Sequence, residues 1–131
     1  MRITADTNLL VRVLMEDDLE QSARAGTLIA AAELVALPTP MLCELVWVLA
    51  RNYRVSTLDI GQALRRLIQP DNVVCDRPAV ESGLALLDGG GDFADGVIAH
   101  DGARLGGDMF ISFDREAVKL VTAHGLAARE P

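Results

Sequence analysis

Residues 2–15 read Arg2-Ile-Thr-Ala-Asp-Thr-Asn-Leu-Leu-Val-Arg-Val-Leu-Met15. Residues 2–6 predict a short strand that ends at Asp6, and the apolar run from Thr7 to Met15 predicts a helix that follows it directly. A strand that passes straight into a helix is half of a βαβ unit, from which parallel sheets are built. This stretch therefore predicts an α/β fold with Asp6 at the carboxyl end of a strand.

The same alternation continues along the rest of the chain. Short apolar segments near residues 34, 73, 109 and 126 predict four further strands. The segments between them predict helices at about 19–32, 40–52, 56–69, 78–87, 93–105 and 114–124. Thr39 and Pro40 suit an N-cap and a first helical residue, and Ser56 opens a capping box. We expect one α/β domain over residues 1–131, with a mainly parallel sheet of about five strands flanked by helices on both faces.

The composition narrows the class of protein. A chain of 131 residues can bury one core without disulfides, and a hydrophobic fraction of 50% excludes a disordered chain. Because only 4% of the residues are aromatic, we expect a mainly aliphatic core. The net charge of −7 argues against electrostatically driven binding to anionic membranes or nucleic acid. A polyanionic substrate would need bound metals, clustered arginines or a basic partner.

Cysteine usage and hydropathy indicate the compartment. Cys43 and Cys75 form no CxxC motif and stand at no zinc-ligand spacing from either histidine, so we expect two reduced, buried structural cysteines. The N-terminus lacks the apolar stretch of a signal peptide, and no apolar run reaches the roughly 18 residues of a membrane span. We therefore expect a cytoplasmic protein without a membrane partner.

Four acidic residues stand where a predicted strand meets a helix or on a helix's first turns: Asp6, Glu44, Asp95 and Asp114. Because the carboxyl ends of parallel strands face one crevice, we expect these carboxylates to gather there. Each close pair would repel by about 4 kcal/mol at roughly 4 Å and an effective dielectric of about 20. A divalent cation would relieve this repulsion, so the pattern indicates a metal-dependent enzyme.

Ordinary helix chemistry offers an alternative for each acidic residue. Asp6 and Asp114 suit N-caps, and helix capping is the favoured interpretation of Asp92. Glu44 suits the first turns of a helix, near the positive end of its dipole. Its position between Cys43 and Leu45 nevertheless predicts partial burial, which an unpaired carboxylate resists.

The acidic residues belong to four local motifs whose order and spacing resemble the PIN domain, specifically the VapC-like ribonuclease toxins of bacterial toxin–antitoxin modules. The motifs are Asp6-Thr-Asn followed by Leu9-Leu-Val-Arg, the central Glu44, Asp92-Phe-Ala-Asp-Gly-Val-Ile-Ala, and Ser112-Phe-Asp-Arg. The resemblance implies that Asp6, Glu44, Asp95 and Asp114 hold Mg²⁺ or Mn²⁺ and catalyse hydrolysis of RNA phosphodiesters by a metal-activated water. Thr7, Asn8, Asp92 and Ser112 are the expected supporting polar residues.

The resemblance also implies partners. It implies an RNA substrate, a homodimer, and a cognate VapB-like antitoxin within a larger toxin–antitoxin assembly. Trp47 and the apolar residues around it suit either such an interface or the core. Candidate RNA-binding residues, each also compatible with ordinary solvated helix surface, are Arg12, Arg51, Arg54 and Arg115.

Departures from the family pattern are mild. Gly96 and Gly102 are expected to loosen their helix because glycine is a poor helix former, and we expect His100 to be structural. Two alternative functions stay open. One is a binding or autoregulatory protein of the same fold with little cleavage activity. The other is a nuclease that acts on DNA, because no residue pattern in the sequence indicates recognition of the ribose 2′-hydroxyl.

Overall fold

A computed structural model describes residues Met1–Pro131. The chain contains seven α-helices and five β-strands. These elements form two compact units, Met1–Cys75 and Asp76–Pro131. None of the helices combines the length and the apolar character needed to cross a bilayer.

The first unit is built around a three-stranded parallel sheet. Strand β1 (Arg2–Thr4) leads to helices α1 (Thr7–Met15) and α2 (Leu19–Ala31). Strand β2 (Leu34–Ala36) leads to α3 (Thr39–Arg51) and α4 (Thr57–Leu67), and β3 (Val73–Val74) follows. The strand order is β1-β2-β3, with Val35 of β2 opposite both Ile3 and Val73. Asp6 therefore lies just beyond the carboxyl end of the edge strand β1.

The second unit consists of three helices and a two-stranded parallel sheet. Helices α5 (Arg77–Asp88) and α6 (Phe93–Arg104) pack closely against each other. Strand β4 (Phe110–Ile111), helix α7 (Arg115–Ala123) and strand β5 (Ala128–Arg129) complete the unit. Phe110 of β4 lies opposite Ala128 of β5. Asp114 follows β4 as Asp6 follows β1.

The predicted α/β fold with parallel strands is confirmed, and all five strands occur near their predicted positions. The strands pair as sheets of three and two rather than as one sheet of about five. Strands β3, β4 and β5 contain only two residues each, so each offers few backbone groups for a continuous ladder. The single domain over residues 1–131 stays a prediction.

The core is mainly aliphatic, as the composition predicted. Leu10, Leu42, Leu45 and Leu64 are fully buried in the first unit, and burial of each such side chain stabilises the fold by about 1.5–3 kcal/mol. The second unit places the aromatic ring of Phe93 in its core. Cys43 and Cys75 form no disulfide, and both are half-buried, so the prediction that they are buried is wrong.

Side-chain caps explain most of the helix starts. Asp18 caps α2 by accepting a hydrogen bond from the Gln21 N–H at 3.0 Å, and the predicted Ser56 cap of α4 is confirmed. The predicted Thr39 N-cap is wrong, because α3 begins at Thr39 after Pro38, which has no side-chain acceptor. Two prolines set this start instead, one at the N-cap and one in the first turn, where its missing N–H is not needed.

Candidate active site

Two of the predicted site residues lie at the start of helix α6. Asp92 is its N-cap, and the Oδ1 atom of Asp92 accepts a hydrogen bond from the Ala94 N–H at 3.0 Å. Asp95 lies in the first turn, and its side chain is half-buried. The buried residues Phe93 and Val97 anchor this turn, because they direct the opposite face of the helix into the core.

Asp114 begins helix α7 in the same way. Its Oδ1 atom accepts hydrogen bonds from the N–H groups of Glu116 at 3.0 Å and Ala117 at 3.1 Å. The Oγ atom of Ser112 accepts a hydrogen bond from the Asp114 N–H at 3.0 Å. Ser112 therefore stabilises the turn that positions Asp114, and its supporting role in a catalytic site stays a prediction.

The carboxylates of Asp92 and Asp114 repel the carboxylate of Asp95. Burial raises the pKa of Asp95 above its ordinary value of 3.8, and the charges of Asp92 and Asp114 raise it further. No arginine or lysine forms an ion pair with any of the three carboxylates. The second unit thus holds a group of negative charges that its own cations do not neutralise.

The other two predicted carboxylates, Asp6 and Glu44, lie in the first unit. Asp6 is the N-cap of α1, and its Oδ1 atom accepts a hydrogen bond from the Leu9 N–H at 2.9 Å. Glu44 lies on α3, exposed, with no hydrogen bond or ion pair. Its predicted partial burial is wrong, because Leu42 and Leu45 face the core while Glu44 lies on the outward side of the helix. Thr7 is buried and Asn8 is exposed at the start of α1.

Helix capping engages only one oxygen of each capping aspartate. Asp6, Asp92 and Asp114 all use Oδ1, and the Oδ2 atom of each makes no hydrogen bond or ion pair. The carboxylate of Asp95 has no hydrogen bond at all. Unengaged carboxylate oxygens are the ligands that hard cations such as Mg²⁺ and Mn²⁺ prefer. The donor chemistry therefore suits such an ion, although no group of three or more His, Cys, Asp or Glu side chains in the structure could hold one as it stands.

The order of these elements and acidic residues agrees with a known family. The family model of the PIN domain matches residues 3–121. The chain belongs to the PIN domain family. No curated protein matches the chain. PIN domains are generally metal-dependent nucleases, so membership indicates a nuclease, a hydrolase of phosphodiester bonds.

Among the predicted RNA-binding arginines of this PIN domain, Arg12 is engaged in an internal network. Its Nη1 atom donates to Asp17 at 2.9 Å, and its Nε atom donates to Gln21. The hydroxyl of Tyr53 donates to the other oxygen of Asp17 at 2.9 Å. The hydrogen bond from Tyr53 and the charge of Arg12 lower the pKa of Asp17. Arg12 thus connects α1 to the following loop and to α2.

The other three arginines differ in their surroundings. The guanidinium of Arg51 lies 5.9 Å from the ring centroid of Trp47, within cation–π range. The Nε atom of Arg115 donates to Glu130 at 3.3 Å. Arg54 is exposed and has a positive φ of 53°. RNA binding by these residues stays a prediction.

Two features of the site region were not anticipated from the sequence. Arg24 lines a groove that also includes Asp6, although no local motif distinguishes this arginine from other residues of an Ala-rich helix. His100 lies within hydrogen-bonding distance of Ser82, with 3.3 Å between Nδ1 and Oγ, and its Nε2 atom is buried without a partner. This contact between α5 and α6 supports the structural interpretation of His100.

The raised pKa of Asp95 predicts an unusual pH dependence of stability. A carboxylate whose pKa is raised in the folded state is destabilising when charged, so its penalty is absent below the unfolded pKa and grows as pH rises through the folded pKa. We expect Asp95→Asn to match wild type in melting temperature near pH 4 and to exceed it increasingly toward about pH 7, without divalent ions. Thermal melts across this range test the trend. Asp101→Asn, on the same helix, is the control, and a pH-independent difference for Asp95→Asn would contradict the prediction.

Proposed function

We propose that this PIN domain is a Mg²⁺- or Mn²⁺-dependent endoribonuclease and acts as the toxin of a bacterial toxin–antitoxin module. The observation that carries the proposal is the acidic group at the start of α6. There the half-buried Asp95 has neither a hydrogen bond nor a cation beside it, and two further aspartates repel it. The charge of Asp95 destabilises the fold, so stability alone gives no reason for a carboxylate at this position.

We assign the role of cation ligands to Asp6, Glu44, Asp95 and Asp114. Capping hydrogen bonds hold Asp6 and Asp114 in fixed orientations, and their Oδ2 atoms are left to coordinate a cation. Burial leaves the charge of Asp95 poorly hydrated, so this carboxylate gains most from a neighbouring cation. When bound, the ion supplies an activated water for attack on the phosphodiester and stabilises charge on the departing oxygen.

Supporting roles belong to the polar residues beside these ligands. Ser112 holds the backbone that leads into Asp114, and Asp92 adds negative charge close to Asp95. Thr7 and Asn8 follow Asp6 in the first turn of α1, where Thr7 is buried and Asn8 faces solvent. These residues orient the carboxylates and the substrate, without a direct part in the proton transfer.

We further propose a VapB-like antitoxin as protein partner and a homodimer within a larger cytoplasmic assembly. Trp47 supports an interface on α3, because 56% of this large apolar side chain is exposed. Tryptophan is enriched among residues that dominate binding energy at protein interfaces.

The decisive experiment measures cleavage of structured RNA, single-stranded DNA and duplex DNA by the purified protein in Mg²⁺, Mn²⁺ or EDTA. We expect metal-dependent cutting of RNA, slowed at least about 100-fold by Asp6→Asn, as is typical for loss of one preorganised electrostatic group. Asparagine caps a helix as well as aspartate does, so this change removes charge and keeps α1 intact. Asp18→Asn, the equivalent substitution at the N-cap of α2, is the matched control.

Each alternative outcome has a defined meaning. Faster cutting of DNA than of RNA would favour the DNA nuclease, and equal activity in Asp6→Asn would reveal a contaminating enzyme. Binding without cutting on any substrate would favour the autoregulatory protein. The toxin role requires that induced expression of wild type, and not of Asp6→Asn, arrests bacterial growth.

A further inference from the structure

An open groove runs between α1 and α2 in the first unit. Its volume is about 1050 Å³, and we call it the α1–α2 groove. Asp6 lies at one end, at the start of α1, and small or partly buried residues form the floor. Its polar lining consists of Asn8, Arg12, Gln21, Arg24 and Thr27. This volume slightly exceeds those typical of small-ligand sites, about 300–1,000 Å³, so the groove has room for a short stretch of polymer.

Two arginines, Arg12 and Arg24, line the α1–α2 groove together with the carboxylate of Asp6. Arg24 is exposed and forms no ion pair or hydrogen bond, although the chain as a whole has a net charge of −7. Arg12 is held by Asp17 and Gln21, which fix its guanidinium at the groove wall. An unpaired guanidinium beside a fixed one favours an anionic occupant, and planar guanidinium groups are well suited to phosphate.

The remaining lining determines how a nucleic-acid strand would be held in the groove. None of the residues in the α1–α2 groove is aromatic, so base stacking contributes little there and contacts to the phosphate backbone must dominate. The exposed amide of Asn8 can both donate to and accept from base edges or a 2′-hydroxyl. The groove also includes Asp6, a carboxylate assigned to cleavage.

We propose that the α1–α2 groove binds single-stranded RNA and that Arg24 contacts a backbone phosphate of the strand. The proposal rests on the proposed ribonuclease function and adds to it a path along which the substrate reaches Asp6. Arg24 is then a substrate-binding residue that stabilises the bound substrate and the transition state by the same amount. Its loss should raise KM and leave kcat nearly unchanged.

The test combines binding and kinetics. Anisotropy of a labelled single-stranded RNA, measured in an Asp95→Asn background so that the RNA stays uncut, gives the affinity at several salt concentrations. For Arg24→Gln we expect the slope of log affinity against log salt to fall by about 0.7, the value for one lost phosphate contact on a single strand. Arg66→Gln, on the exposed face of α4 and outside the groove, is the control and should keep the parent slope.

A second variant narrows the α1–α2 groove without changing charge. Thr27 is exposed on α2 and lines the groove, so Thr27→Leu should fill part of it and weaken RNA binding about 10-fold, without adding a ring on which a base could stack. In an otherwise wild-type background, both variants should cleave RNA with raised KM. A circular dichroism spectrum like that of wild type confirms that each variant is folded.

The outcomes separate this proposal from the one on which it rests. If the parent chain cuts RNA but both groove variants bind and cut like Arg66→Gln, the groove proposal is overturned and the ribonuclease function stands. Such a result would leave the groove for a polypeptide partner. If the parent neither binds nor cuts RNA, the proposed function fails, and the groove proposal fails with it.

Discussion

Asp95→Asn should slow RNA cleavage at least about 100-fold and, at neutral pH, leave the protein as stable as wild type or more stable. The two effects have the same cause. Asparagine preserves the shape of the side chain but removes the negative charge that Asp92 and Asp114 repel. The folded protein is relieved of that repulsion, and the proposed cation site loses its most poorly hydrated carboxylate.

Opposite changes in activity and stability are informative because a variant that merely disturbs the fold lowers both. Cleavage rates at saturating metal, together with thermal melts at about pH 7, measure the two effects on one preparation. Asp101→Asn removes a charge from the same helix and should alter neither quantity appreciably. Wild-type cleavage by Asp95→Asn would remove this residue from the catalytic assignment. A lower melting temperature would refute the electrostatic account.

Metal binding gives an independent measure of the same site. A ligand that binds only the folded protein raises its melting temperature in proportion to the logarithm of the ligand concentration. We expect Mn²⁺ to raise the melting temperature of wild type and to have much less effect on Asp95→Asn. An equal shift in both proteins would place the ion elsewhere.

Gly96→Ala should destabilise the protein by about 3 kcal/mol, at the upper end of the cost of overpacking. A Cβ atom at Gly96 would lie 2.3 Å from the carbonyl oxygen of Ser82 and 2.8 Å from the Cα atom of Gly83. Both contacts are with the backbone of α5, which cannot rotate away as a side chain can. Helices α5 and α6 would have to separate, and the first turn that carries Asp95 would move with α6.

Gly102→Ala is the matched control for this prediction, because it makes the same substitution in the same helix. A Cβ atom at Gly102 meets nothing within 4 Å. Alanine is the better helix former by up to about 1 kcal/mol, so Gly102→Ala should be neutral or stabilising. Urea unfolding followed by circular dichroism measures both variants. Equal stabilities would mean that the close approach of α5 and α6 is not maintained in solution.

The behaviour expected of Gly96 differs from the prediction made from its sequence. Glycine propensity predicted a loosened helix at both Gly96 and Gly102. Propensity describes an isolated helix, whereas Gly96 is buried at a contact with a second helix that lies earlier in the chain. At Gly96 a second effect acts beside propensity, because the absence of a side chain is what permits the close packing of α5 and α6.

Features that depend on a few neighbouring residues were predicted best. The strand ends and the helix starts at Asp6, Asp92 and Asp114 follow from capping, which involves residues two or three positions apart. Glu44 shows where neighbours mislead, because the apolar residues beside it do not determine which side of α3 it occupies. The helical spacing of Leu42, Leu45, Val46 and Leu49 would have placed it on the outward side.

Contacts between distant parts of the chain were beyond local patterns. The hydrogen bond from Tyr53 to Asp17 spans 36 positions and engages the partner of Arg12. Arg12 therefore looked from the sequence like an unoccupied surface cation. Arg24, which lacks any partner, had no motif to distinguish it. Only the packing of α1 beside α2 reveals the groove that the two arginines share.

The capping bonds at Asp6, Asp92 and Asp114 also order three carboxylates, two of which are proposed cation ligands. A flexible carboxylate must lose its rotational freedom when a cation arrives, at a free-energy cost on the order of 1 kcal/mol per side chain. Here the backbone amides have already ordered these three side chains during folding. For Asp6 and Asp114, this preorganisation lowers the entropic cost of the proposed cation binding and so favours affinity.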